Sequence, residues 1–127
     1  MVQFDHIEVH VSDSKAYAEF LLRLFQNGRF KKIAQDDIYM FLSPDNLHIE
    51  IKQKDVDINR NKVISDIGFC MPCLRMKNAL THLKSLSEVE IIDKLENDDG
   101  PCYFFKDPEG IIWHIKDYSI QDKYINI

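Results

Sequence analysis

Imidazole and carboxylate side chains recur at alternate positions in three short stretches of this chain. They are His6, Glu8 and His10 in FDHIEVHVSD, His48 and Glu50 in HIEI, and His114 in FKDPEGIIWHI. In an extended segment, side chains two positions apart share a face. An imidazole carries protons near neutral pH or ligates a transition ion, and a carboxylate serves as ligand or base. The alternation places His6, Glu8, His10, His48, Glu50, Asp66, Ile112 and His114 on one set of faces, which then holds four of the five histidines. A sheet surface facing water more often carries Lys, Thr or Ser, so this concentration points to a ligand cavity. Taken singly, each residue has a plainer reading as a solvated side chain. His10, Glu8 and His48 stand between substrate contact and simple exposure at a rim, and His82, on a helix, reads as surface.

These residues sit inside an internal repeat. YMFLSPDNLHIEIK, from Tyr39, and YFFKDPEGIIWHIK, from Tyr103, share Tyr, Phe, Pro, Ile and Lys at a constant offset of 64 positions. The same offset makes Glu50 and His114 equivalent. Two copies of one supersecondary unit, each carrying a metal-competent or acid–base side chain at the same point, imply a pseudo-symmetric site.

The elements that must position them follow from hydrophobic period. Phe4 to Val11 alternates as a strand. Ser12 and Asp13 cap a helix whose Tyr17, Phe20, Leu21 and Leu24 form one stripe, and Asn27 and Gly28 stop it. Strands follow at Lys31 to Ile33, Ile38 to Leu42 and Leu47 to Lys52, the last two joined by Ser-Pro-Asp-Asn. After a polar connector the order repeats: a strand from Val63 to Met71, then a helix with Met76, Ala79, Leu80, Leu83 and Leu86 as its stripe. Further strands are expected at Val89 to Lys94, Cys102 to Lys106 and Ile111 to Lys116. The expected architecture is one α+β domain, residues 1–127, of two paired βαβββ modules forming an open curved sheet or half-barrel with helices on the outer face. Module 1 spans about 1–55, the linker about 53–62 and module 2 about 63–118; the tail from Gln121 has no clear period.

A chain of 127 residues with 45% hydrophobic content fits one compact domain. A formal charge of −5 with no dense Lys/Arg cluster argues against nucleic acid as a partner. No apolar run approaches the roughly 20 residues of a membrane span, and the start MVQFDHIEVH has no export pattern, so a cytoplasmic location is expected. Three cysteines make an odd count, and reduced thiols are expected. Cys70-Met71-Pro72-Cys73 has redox spacing, but Cys73 is expected at the helix-capping position that Asp13 fills in the first module, and a thioredoxin-like context is missing.

With FDHIEVHVSD before a helix, HIEI, and FKDPEGIIWHI all in place, nearly the whole chain resembles the vicinal oxygen chelate superfamily. That superfamily includes glyoxalase I, extradiol ring-cleaving dioxygenases and bleomycin or fosfomycin resistance proteins. The resemblance implies paired βαβββ modules around a divalent metal or small ligand, and a homodimer. It assigns the metal ligands to His6, Glu50, Asp66 and His114, with Asp66 where His is usual and His114 where Glu is usual. Two imidazoles and two carboxylates suit Fe, Mn, Ni, Co or Zn. Glutathione-dependent glyoxalase I itself is not a close match, because His10 stands where an Arg usually binds a glutathione carboxylate and the expected Asn after Glu50 is missing.

Such a site implies a small-molecule metalloenzyme of the lyase or isomerase type, with Glu50 as the catalytic base and His10, Glu8 and His48 as substrate contacts. A face of His6, His114 and Glu50 around Fe(II), with Asp66 outside it, would instead support dioxygenase chemistry. The alternative from another class is a metal-free small-molecule binder that sequesters an antibiotic in the manner of bleomycin resistance proteins.

Overall fold

A computed structural model describes residues 1–54, 70–97 and 100–117. The chain divides into two compact units, Met1–Gly68 and Phe69–Ile127. In the first, β1 (Ile7–Val11) leads through α1 (Ser14–Phe25) to β2 (Arg29–Ala34), β3 (Ile38–Leu42) and β4 (His48–Gln53). In the second, β5 (Cys73–Met76) leads through α2 (Ala79–Ser85) to β6 (Glu90–Asn97), β7 (Gly100–Lys106) and β8 (Ile112–Asp117). Each unit is therefore βαβββ, as expected. Each builds its own four-stranded mixed sheet, in the orders β1-β4-β3-β2 and β5-β8-β7-β6, and both sheets are open.

Helix α1 forms where its stripe dictates. Asp13 caps it, accepting from the Ala16 amide at 3.0 Å, and Gln26 closes it in the left-handed region. Tyr17, Ala18, Phe20, Leu21 and Leu24 are buried, and the helix packs on β1, β3 and β4. Each large apolar side chain buried this way contributes roughly 1.5–3 kcal/mol. Their sheet partners are Tyr39, Phe41, Ile49 and Ile51, all buried. The opposite face of the sheet is thereby left to Glu8, His10, Met40, Leu42, His48, Glu50 and Lys52. Gly28, at φ +113°, makes the turn into β2. An added Cβ there would lie 2.7 Å from the Leu42 carbonyl oxygen, so the chain needs glycine to approach β3 so closely.

Two joints in each unit fix strand to helix and strand to strand. The Gln53 side chain accepts from the Ser14 amide at 2.9 Å and donates to the Ser12 carbonyl, tying the end of β4 to the start of α1. In the second unit Asp117 does the same for α2, accepting from the Asn78 amide at 3.2 Å. The β3–β4 turn is closed by Ser43, whose hydroxyl accepts from the Leu47 amide at 2.8 Å. Asp107, 64 positions on, closes the β7–β8 turn. Its Oδ1 accepts from the Glu109 and Ile111 amides at 2.8 and 3.0 Å, and its Oδ2 from the Trp113 indole N–H at 2.9 Å. The Asp-Pro-Glu-Gly stretch is thus a structural turn.

The second unit's first strand corrects one expectation. The parallel partner of β8 is Cys73–Met76, with Cys73 opposite His114, and the His114 amide donates to the Pro72 carbonyl at 3.1 Å. These ladder bonds hold Cys73 and Met76 extended, so Cys73 is not a helix cap and Met76 is not on the helix stripe. α2 starts later, behind Asn78, which has left-handed φ and makes no side-chain cap bond. Residues 63–69 of the strand expected from Val63 to Met71 lie outside the described residues, as does the tail.

Candidate metal centre

The first unit's open face is organised by one register. β1 and β4 run parallel with Glu8 opposite Glu50 and His10 opposite Lys52, which brings two carboxylates side by side at the strand spacing of roughly 4.8 Å. His6, just ahead of β1, continues the alternation. The structure brings His6, Glu8 and Glu50 together, with one donor atom from each lying within 4.8 Å of the others. With metal–ligand distances of about 2.1 Å, the donors of an occupied tetrahedral site stand about 3.4 Å apart. Side-chain rotations that move the donors by about an ångström close the set.

The surroundings orient the donors. His6 Nδ1 lies 2.5 Å from Asp5 Oδ2, which places the ring proton on Nδ1 and leaves Nε2 as the ligating nitrogen, the arrangement in which a carboxylate orients a metal-binding imidazole. His10 Nε2 lies 3.0 Å from Glu8 Oε2. Lys52 Nζ sits between the two carboxylates, 3.5 Å from Glu8 Oε1 and 3.6 Å from Glu50 Oε1. Around the two carboxylates the cluster is screened from water, with side-chain exposure of 11% at Glu8, 5% at His10, 17% at Lys52 and 16% at Glu50, and His6, at 27%, sits at its edge. Adjacent carboxylates with so little solvent require positive charge, and Lys52 supplies part of it.

Of the residues singled out in the sequence, His6, Glu8, His10 and Glu50 thus form one cluster. His48 is exposed and lines a separate cleft on the same sheet with Arg29, Lys31, Met40 and Leu42. Asp66 lies outside the described residues. His114 belongs to the second unit, where its Nδ1 lies 3.6 Å from Cys73 Sγ and its ring meets Phe104 edge-on at 5.4 Å. Burial pushes the His114 pKa below its ordinary value. Burial first and Cys70 second push the Cys73 thiol up, the reverse of what a reactive thiol needs. Sequence reading missed Lys52, although its position two residues past Glu50 puts it on the same face. It also missed Asp5 and Gln53, whose roles depend on local turns that alternation does not report.

Two sheets of this order, each built from a βαβββ unit, define the vicinal oxygen chelate fold. Among solved structures the chain is similar to the fosfomycin resistance protein FosX of Listeria monocytogenes, a mutant of which was solved with Mn(II) and 1S,2S-dihydroxypropylphosphonic acid. The match has 16% identity and a TM-score of 0.68, and covers 94% of this chain and 93% of that one. FosX of Mesorhizobium loti matches at 12% identity and a TM-score of 0.63, over 94% and 95% of the two chains. An integron cassette protein of Vibrio cholerae matches at 16% identity and a TM-score of 0.66, over 94% and 97%. No protein-family model and no curated protein matches the sequence. At these identities the likeness is one of fold. No helix among the described residues is long and apolar enough to cross a membrane.

Proposed function

We propose that the chain is a metal-dependent enzyme acting on a small oxygen-bearing molecule, with His6, Glu8 and Glu50 as the first unit's contribution to the ligand set. The observation that carries this reading is the convergence of one imidazole and two carboxylates on one face, with the Nδ1 of that imidazole held by Asp5. Asp66 and His114 remain the further donors that the resemblance assigns. A divalent ion in such a set acts as a Lewis acid toward a substrate oxygen. The chain's own residues do the rest. Glu50, held loosely by Lys52 at 3.6 Å, is the base that takes a proton from substrate or water. The Lys52 ammonium offers positive charge to an oxygen that becomes negative, and His10 keeps the Glu8 carboxylate aimed. The Mn(II) and phosphonate bound by the Listeria protein support a divalent ion and a small-molecule substrate. A homodimer is the state that the resemblance implies.

The test is elemental analysis of protein purified without an affinity tag, followed by Mn(II) titration calorimetry. About one ion per chain is expected, with His6→Ala and Glu50→Gln each weakening affinity by about 100-fold or more. Unchanged affinity in both variants would reject the ligand assignment. The second reading is a metal-free binder, favoured by the contacts that Lys52 and His10 already make with the carboxylates. It predicts no tight ion in any preparation.

A further inference from the structure

The first unit's open face changes character from strand to strand. Glu50 pairs with Met40 and His48 with Leu42 across β4 and β3. Met40 pairs in turn with Lys31, and Leu42 with Arg29, across β3 and β2. Cross-strand partners share a face. One row therefore reads Glu8, Glu50, Met40, Lys31, and the next reads His48, Leu42, Arg29. The face is acidic at β1 and β4, apolar at β3 and basic at β2.

The two cations at the basic edge are Arg29 and Lys31. Lys32, their neighbour in sequence, pairs with Asp37 at 3.0 Å, and Lys52 pairs with Glu8 and Glu50. Arg29 and Lys31 have no acidic partner among the described residues. Both line, with Phe30, Met40, Leu42 and His48, a cleft of about 300 Å³, enough for a small organic molecule. The close approach of the Gly28 backbone to the Leu42 carbonyl fixes the start of β2, and with it Arg29, against β3. A guanidinium, an ammonium and an imidazole around a cavity with an apolar wall match an oxyanion head on an apolar body.

We infer that this cleft binds an organic anion, a phosphonate, phosphate or carboxylate held by Arg29 and Lys31 on β2, with its apolar body over Met40 and Leu42 on β3 and His48 beside it on β4. Two strand spacings, about 10 Å, separate the head from Glu50. A ligand of that length presents its far end to the His6, Glu8 and Glu50 cluster. Only this last step rests on the metal reading; the anion site stands on the cleft alone.

The experiment is 31P NMR titration of phenylphosphonate into the metal-free full chain, with benzoate as a competing carboxylate. Saturable binding is expected, weakened about tenfold or more in Arg29→Gln/Lys31→Gln and less in His48→Gln, with the fold checked by far-UV circular dichroism. Competition by benzoate extends the site to carboxylates, and its failure restricts the site to phosphorus oxyanions. No saturable binding, or binding indifferent to the double variant, overturns the inference. Adding Mn(II) then separates the two readings. Relaxation of the bound phosphorus from about 10 Å supports both. Direct coordination places the head group at the metal and overturns the anion site. Binding intact with no paramagnetic effect retains the anion site and counts against the metal alone.

Discussion

The centres of the two open faces are the same position built from different chemistry. In the first unit the parallel pair Glu8–Glu50 is flanked on the antiparallel strand by Met40. In the second, Cys73–His114 is flanked by Phe104. Around these centres the supporting contacts repeat: Gln53 and Asp117 each tie the last strand to a helix start, and Ser43 and Asp107 each close the last turn. The scaffold and the face are thus separable. Joints recur because the βαβββ geometry needs them, whereas the face is free to carry oxygen donors with a compensating lysine in one unit and a thiol, an imidazole and an aromatic ring in the other. Hard donors suit a divalent ion and charge-stabilising chemistry. On the second face burial pushes the imidazole down and the thiol up, which favours the neutral forms of both.

The largest effect is expected where the joints differ most. Ser43 closes its turn with a hydroxyl that accepts from the Leu47 amide and donates to Asp45. Asp107, 4% exposed, accepts from two amides and an indole. Hydrogen bonds to a charged acceptor contribute about 1.5–3 kcal/mol, and buried donors left without it add to the loss. Asp107→Ala should therefore cost about 4 kcal/mol, against about 1 kcal/mol for Ser43→Ala. Urea unfolding followed by far-UV circular dichroism, which reports the strands and helices of both units, measures both. Equal losses would show that the two turns do the same work despite their different closures.

A smaller effect tests the charge on the first face. Lys52 and Lys116 are equivalent positions, yet Lys52 lies between two carboxylates while Lys116 stands across from Cys102. In metal-free protein, Lys52→Met leaves Glu8 and Glu50 adjacent and screened, at a cost of about 1–2 kcal/mol. Mn(II) should raise the Tm of Lys52→Met by more than it raises that of the unaltered chain, because the ion then supplies charge that the lysine had supplied. A metal response unaltered by Lys52→Met would separate the lysine from the ligand set.

The contrast between joints and faces also explains what was legible in the sequence. Period-two alternation and the 64-residue offset depend on local backbone geometry, so the βαβββ order, the α1 stripe and the shared face of His6, Glu8, His10 and Glu50 could all be read directly. The second unit's first strand could not. Cys70 to Met76 has no alternation of apolar and polar side chains, and only pairing with β8 selects Cys73–Met76. The pairing of Cys73 with His114 is consequently a tertiary fact. His48 was read with the Glu50 cluster because both face the same side, but alternation does not report position along the sheet. One residue pair of displacement sends His48 toward Leu42 and Arg29 instead.

The smallest effect comes from His114 itself. Its folded pKa lies below the ordinary value of about 6.5 because burial disfavours the charged ring. At a pH between the two values the unfolded chain binds a proton that the folded chain does not, so stability rises with pH there. The contribution is complete above the unfolded value and is lost as the pH falls through the folded one. Unfolding free energies of metal-free protein at a series of pH values from about 8 to about 5 should decline more steeply for the unaltered chain than for His114→Gln, with the difference confined to the region below about 6.5. His6→Gln gives the comparison on the other face: its ring is paired with an exposed carboxylate, Asp5, in place of Cys73 and Phe104. Parallel curves for the unaltered chain and His114→Gln would mean that burial does not disfavour the charged ring of His114, and the distinction between a face of paired charges and a face of neutral groups would fail at its centre.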